Sequence, residues 1–137
     1  MEKTATATWK GTGKEGKGTV SSSNGVLNDT PYTYHSRFEG GSDTSPEELI
    51  AAAHAGCFSM KLSFILNAAG FTPENIDTKC TVTIDSGTIT ESHLEVSANV
   101  PGIDAAKFAA CAEEAKMTCP VSKVLNATIT MEAVNTQ

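Results

Sequence analysis

Residues 46–69 are bounded by a helix start and a helix stop, and that span limits every fold open to the chain. Ser45 supplies a capping hydroxyl, Pro46 suits the first helical position, and Glu48 stands three residues after the cap, the pattern of a capping box. Glu47 and Glu48 also place negative charge at the positive helix end. Gly70 closes the span as a C-terminal cap. At 1.5 Å per residue such a helix is about 36 Å long. Leu49 to Leu66 is apolar nearly all round, which predicts burial on most sides. Its length approaches a membrane span, but His54, Lys61 and small polar or glycine interruptions favour a central core helix instead.

The flanking segments alternate at the period of strands. Thr4–Trp9 alternates small or apolar residues with threonine, and Thr19–Ser23 can return beside it. Asn24-Gly25 is a hairpin signal. Gly25–Phe38 is predicted as a further extended segment, interrupted near Pro31, with Arg37 close to its end; Gly40–Thr44 is a loop. Beyond the helix, Ile76–Asp85 and Thr88–Val100 alternate around Ser86-Gly87 as a second hairpin. Asp104 can cap a helix through Phe108, Ala109, Ala112 and Ala115, and Thr118–Ser122 starts a short one at Pro120. Ala127–Val134 alternates as a last strand. Strands, long helix, strands, helices and a final strand make an α+β architecture, with residues 1–137 expected to form a single domain.

Composition narrows the function classes. A chain of 137 residues, 39% hydrophobic, can build a core without staples. Ten Lys and Arg stand against 16 Asp and Glu, and the basic residues are scattered, so nucleic acid is not an expected partner. MEKTATATWKG lacks the order of a secretory signal, and neither a signal nor a membrane span is expected, which gives a cytoplasmic address. In a reducing compartment Cys57, Cys80, Cys111 and Cys119 are more readily packing, metal-binding or reactive thiols than a disulfide framework. Among the basic residues only Arg37 is arginine, and lysine cannot copy its rigid five-donor fork.

Glu47, His54, Cys57 and Lys61 fall within an arc of roughly 80° on a helix. The plain alternative for Cys57 is a small buried hydrophobe, with His54 a satisfied core imidazole. Cys119 directly precedes Pro120, which predicts a thiol at a helix cap, aimed at unpaired backbone N–H groups that lower its pKa. A thiol in a core helix and a second at a helix start are the parts of a reactive and a resolving pair. A thiolate in an apolar pocket needs a cation, for which Arg37 is the candidate; its plain alternative is a surface salt bridge.

The segments PYTYHSRFEGG, SPEELIAAAHAGCFSMKLS, VPGID and CPVSKVL, in that order, resemble the OsmC/Ohr family of organic hydroperoxide reductases, more closely its osmotically inducible OsmC branch. The resemblance spans residues 31–126. It implies a thiol peroxidase that reduces organic hydroperoxides, and hydrogen peroxide less efficiently, in oxidative or osmotic stress defence. Cys57 matches the peroxidatic cysteine and Cys119 the resolving one, which form an intramolecular disulfide in turnover. Arg37 and Glu47 match the family's arginine and the first glutamate after its proline. A dithiol or lipoylated reductant, an intertwined α+β homodimer, and no metal or flavin cofactor are further implications. His54 is then a residue behind the reacting groups, while Phe58, Met60 and Phe38 are apolar neighbours that would favour fatty or aromatic hydroperoxides. Cys80 and Cys111 have no assigned role.

Glu47 and Cys57 are ten residues apart, about 15 Å along a straight helix, too far for their side chains to meet. A constellation of Arg37, Glu47 and Cys57 therefore needs either a bent helix or a partner from a second subunit, and the second is the expectation: a site across a dimer interface, with the Arg37–Glu47 pair facing the other chain's Cys57. The competing readings are a metal-binding or small-molecule-binding stress protein using His54 and Cys57 with Cys111 or Cys119, an inert binding module, and a Cys–His hydrolase. The last lacks an orienting group for the imidazole and room for an acyl substrate.

Overall fold

The computed structural model describes residues 1–137, which divide into two compact units, Met1–Leu49 and Ile50–Gln137. In the first unit, strands β1 (Ala5–Lys10), β2 (Lys17–Ser22) and β3 (Thr30–Tyr32) form an antiparallel sheet in that order. Gly18 pairs with Trp9 on one side and Tyr32 on the other. A Cβ there would collide with both rings, and the rings close over it with centroids 5.3 Å apart, covering a glycine that has no side chain to pack.

The segment predicted as extended from Gly25 to Phe38 is a strand only over β3. It is followed by helix α1 (Tyr34–Phe38). Thr33 reverses the backbone: its hydroxyl accepts from the Ser36 N–H while the Ser36 hydroxyl accepts from the Thr33 N–H. Two short polar side chains thus build a capping box that outweighs the alternation. Arg37 consequently lies on the last turn of α1 and not at a strand end. Asn24-Gly25 opens a longer connection between β2 and β3, with the Asn24 carboxamide oxygen accepting from Val26 N–H.

Helix α2 (Pro46–Ala68) runs unbroken. The Ser45 hydroxyl accepts from Glu48 N–H at 3.1 Å, and at the far end Gly70, at φ +95°, ends the helix: its N–H bonds Asn67 C=O and Phe71 N–H bonds Leu66 C=O, a Schellman pair.

The second unit holds strands β4 (Asn75–Asp85), β5 (Thr88–Asn99) and β6 (Thr128–Asn135) in sheet order β4-β5-β6. β4 and β5 are the predicted hairpin. β6 instead lies parallel to β5, a pairing that requires a crossover, and helices α3 (Ala105–Thr118) and α4 (Pro120–Val124) supply it. Asp104 caps α3 as predicted, accepting from Lys107 N–H at 2.7 Å. The core lies where Leu94, Val96 and Ala98 of β5 meet Phe58, Leu62 and Leu66 of α2 and Phe108, Ala112 and Ala115 of α3. Alternate residues of β5 are buried because a strand turns successive side chains to opposite faces.

The prediction that α2 is buried on most sides does not hold for the single chain. His54, Phe58, Leu62 and Leu66 form one buried stripe at i, i+4 spacing, while Met60 and Phe64 are 64% and 65% exposed. A single sheet and one neighbouring helix cover only one side of a cylinder, so an all-round apolar sequence leaves a face uncovered. α2 is long and apolar enough to cross a membrane by length and composition.

Candidate active site

Cys57 and Cys119 are brought together by the crossover. Cys57 is on α2, and Cys119 is the junction residue that ends α3 and precedes α4. Pro120 at the first helical position of α4 sets this sharp restart of the helix. The two sulfurs are 2.9 Å apart and both thiols are free. Joining them at the S–S length of about 2.05 Å needs a shift of under about 1 Å. Cys57 is half-buried, and Cys119 is wholly buried among the core side chains. One sulfur is thus reachable from outside and the other waits behind it.

The electrostatics differ from the sequence-based expectation in one respect. Cys119 makes no side-chain capping bond to α4. Its sulfur is turned toward Cys57, because the buried position behind α2 is where an apolar thiol is best accommodated. The amide at the start of α4 serves Cys57 instead. Burial, and next the Cys119 neighbour, push the Cys57 thiol up from its ordinary value, while the Val121 backbone N–H and the Lys61 ammonium pull it down. Burial prevails, so the single chain keeps the proton on Cys57.

Arg37 and Glu47 meet within the first unit. The Nε–H of Arg37 donates to Glu47 Oε1 at 2.9 Å. Glu47 is buried on the first turn of α2, whereas the Arg37 side chain is 41% exposed. This is not the surface pair of two solvated side chains. The guanidinium is fixed through one nitrogen, and its carbon also sits 5.2 Å from the Phe38 ring centroid, within cation–π range. The remaining N–H groups of the fork are left for another acceptor. Beside them Trp9, Tyr32, Tyr34 and Phe38 line a cleft of about 240 Å³.

His54 is buried and doubly bonded, Nδ1 to the Ser92 hydroxyl at 2.6 Å and Nε2 to the Ser122 hydroxyl at 2.7 Å. Burial lowers its pKa, so the ring is neutral near pH 7. Ser92 also meets Cys80 Sγ at 3.1 Å. Neither serine was singled out from the sequence, since nothing local marks a hydroxyl on a strand as the partner of a histidine 38 residues away. Phe58, expected as a neighbour of the substrate, is wholly buried in the core: its place on the i, i+4 stripe with Leu62 turns it inward. Phe38 does line the aromatic cleft. No three His, Cys, Asp or Glu side chains converge as metal ligands, so the His54–Cys57 metal reading lacks a third donor. The ring nitrogens of His54 are both engaged by serine hydroxyls, which also leaves the Cys–His hydrolase reading without its base.

The OsmC-like protein family matches residues 39–134. Peroxiredoxin OsmC of Escherichia coli strain K12 is 52% identical over 136 residues, covering 96% of this chain and 95% of that protein. Among solved structures, the organic hydroperoxide resistance protein OhrB of Bacillus subtilis superposes with a TM-score of 0.65 at 26% identity, covering 96% of this chain and 98% of that one. An OsmC-like protein from Mycoplasma pneumoniae shares the fold at a TM-score of 0.77 and 12% identity, covering 100% of this chain and 99% of that one.

Proposed function

Since the chain belongs to the OsmC-like protein family, we propose that it is a thiol-dependent peroxidase of stress defence that reduces organic hydroperoxides through Cys57 and Cys119. The observation that carries the reading is the sulfur pair: one partly accessible thiol with a second, buried thiol 2.9 Å behind it.

The cycle follows from the chemistry of sulfur. The Cys57 thiolate attacks one peroxide oxygen, an S–O bond forms, the O–O bond breaks, and the alkoxide takes a proton and leaves as alcohol. Cys57 is then a sulfenic acid, the first and reversible rung of thiol oxidation. The Cys119 sulfur attacks it, the S–S bond forms and water leaves. An external dithiol, of lipoyl type, reopens the disulfide by exchange and is itself oxidised.

The first step needs a thiolate, and the surroundings of Cys57 in one chain disfavour it. Arg37 is the residue that answers this need. Its free N–H groups stabilise the thiolate and the peroxide oxygen on which charge develops, and Glu47 holds the fork in orientation. We assign the meeting of this pair with Cys57 to a homodimer, with Arg37 and Glu47 of one subunit facing Cys57 of the other. Two features support that assembly. Met60 and Phe64 leave an apolar face of α2 open, and β1 is exposed along nearly its whole length, so the first unit gains its burial from outside. The aromatic cleft beside Arg37 suits the hydrocarbon part of an organic hydroperoxide better than it suits hydrogen peroxide. A single domain, 1–137, acting in the cytoplasm, where free thiols persist, completes the proposal.

The test is a thiol count. One equivalent of cumene hydroperoxide should remove the Cys57 and Cys119 thiols together and leave Cys80 and Cys111 titratable. Loss of any other pair, or no loss, overturns the assignment.

A further inference from the structure

Cys57 lies on α2 and Cys119 caps the start of α4, and the two segments are joined twice at one spacing. His54 and Cys57 are three residues apart on α2; Cys119 and Ser122 are three residues apart at the start of α4. Three residues is close to one helical turn, so each pair forms two steps of a ladder. One rung is the sulfur pair at 2.9 Å, and the other is the 2.7 Å bond between His54 Nε2 and Ser122 Oγ.

The two sides of the ladder are unequally held. On α2 the imidazole is wholly buried and fixed from behind, because Nδ1 bonds the Ser92 hydroxyl of β5 at 2.6 Å and that hydroxyl also meets Cys80 Sγ. A ring bonded at both nitrogens has one orientation. On the other side α4 has five residues and none is buried; Val121 alone of them packs against the core. A helix this short has little stability of its own. The sulfur rung is altered at every turnover, since Cys57 gains and loses oxygen there. The imidazole rung is the one that stays chemically unchanged.

We propose that His54 is a positioning residue for disulfide closure: anchored by Ser92, it holds the Ser122 hydroxyl and so keeps Cys119 within reach of the oxidised Cys57 sulfur. The neutral ring gives one donor and one acceptor, and serine hydroxyls can answer either, so both bonds persist whichever nitrogen carries the proton. The inference rests on Cys57 and Cys119 being the redox pair.

A single-turnover experiment separates the two steps. Protein is mixed with one equivalent of cumene hydroperoxide, and the Cys57 sulfenic acid, trapped by dimedone, and the Cys57–Cys119 disulfide are followed by mass spectrometry. Ser122→Ala is the first variant, because Ser122 lies at the margin of the core and its loss leaves His54 and its Ser92 bond in place. Sulfenic acid should form within about twofold of the wild-type rate, while disulfide closure should slow about tenfold, the loss of one part-buried hydrogen bond. The exposed sulfenic acid should then overoxidise more readily at excess hydroperoxide. Ser122→Thr, which keeps the hydroxyl, should restore closure. Closure at the wild-type rate in Ser122→Ala, equal slowing of both steps, or no rescue by threonine overturns the role given to His54. If wild-type protein itself forms no Cys57–Cys119 disulfide, the redox pair is wrong and the role of His54 falls with it.

Discussion

The sulfurs of Cys57 and Cys119, 62 residues apart in the chain, face each other at 2.9 Å across the junction of α2 with α4. No disulfide joins them, and Cys119 is wholly buried while Cys57 is half-buried. That asymmetry supports the proposed order of events, in which an oxidant arriving from solvent meets Cys57 first.

Replacing Cys57 by serine should abolish hydroperoxide turnover, since an alcohol has neither the acidity nor the polarisability of the thiol. Cys119→Ser should still consume the first equivalent but stop there, leaving a sulfenic acid at Cys57 that dimedone labels or a mixed disulfide with the added reductant. Intact mass after one equivalent of oxidant distinguishes these products. A Cys119→Ser protein that turns over at the wild-type rate with a dithiol would remove the resolving role.

Arg37 is held by a single nitrogen to a carboxylate whose second oxygen is buried without a partner. Arg37→Lys should lower kcat/KM for an organic hydroperoxide by about ten- to a hundredfold, the loss of one to two charge-assisted hydrogen bonds. It should also move the pH dependence of Cys57 alkylation to higher pH, because burial already pushes that thiol up and, in the proposed dimer, lysine lacks the forked N–H donors with which Arg37 holds the thiolate. Glu47→Gln should reduce activity less, as a carboxamide oxygen can still accept from Nε. Iodoacetamide rates across a pH series provide the measurement.

The two faces of α2 should respond differently to truncation. Leu62→Ala opens a cavity in the core and should cost about 2–5 kcal/mol in urea unfolding. Phe64→Glu, on the open face, should instead shift the protein from dimer to monomer in sedimentation, with peroxidase activity falling at least tenfold. Full activity in a monomer would refute the shared site.

Acid should weaken the fold through His54. Its folded pKa lies below the ordinary 6.5 because burial disfavours the imidazolium, so below about pH 6.5 the unfolded chain binds a proton that the folded chain refuses. Stability then falls as pH drops, by up to about 1.4 kcal/mol per pH unit for one site, down to the folded pKa. Urea midpoints at pH 7.5 and 5.5 should show this drop in the wild type and a smaller one in His54→Gln, in which the other histidines still titrate.

The long helix, its two ends, the second hairpin and the cap at Asp104 were legible because each depends on residues within a turn or two of one another. Ser45, Gly70, Ser86-Gly87 and Asp104 act locally, and local hydrogen bonding is written in short patterns. Gly25–Phe38 failed for the same reason in reverse: the Thr33–Ser36 box is also local, but its two hydroxyls are a weaker mark than the alternation around them.

What the sequence determined by itself was the set of chemical parts: a lone guanidinium, four thiols, and an apolar helix that carries one of them beside an imidazole. The tertiary structure decided which parts meet. Parallel pairing of β6 on β5 returned Cys119 to α2, gave the Val121 amide to Cys57 and not to Cys119, and closed Ser92 and Ser122 on His54. Those contacts join residues tens of positions apart, and their distances depend on the packing of a whole core, which no short stretch of chain encodes.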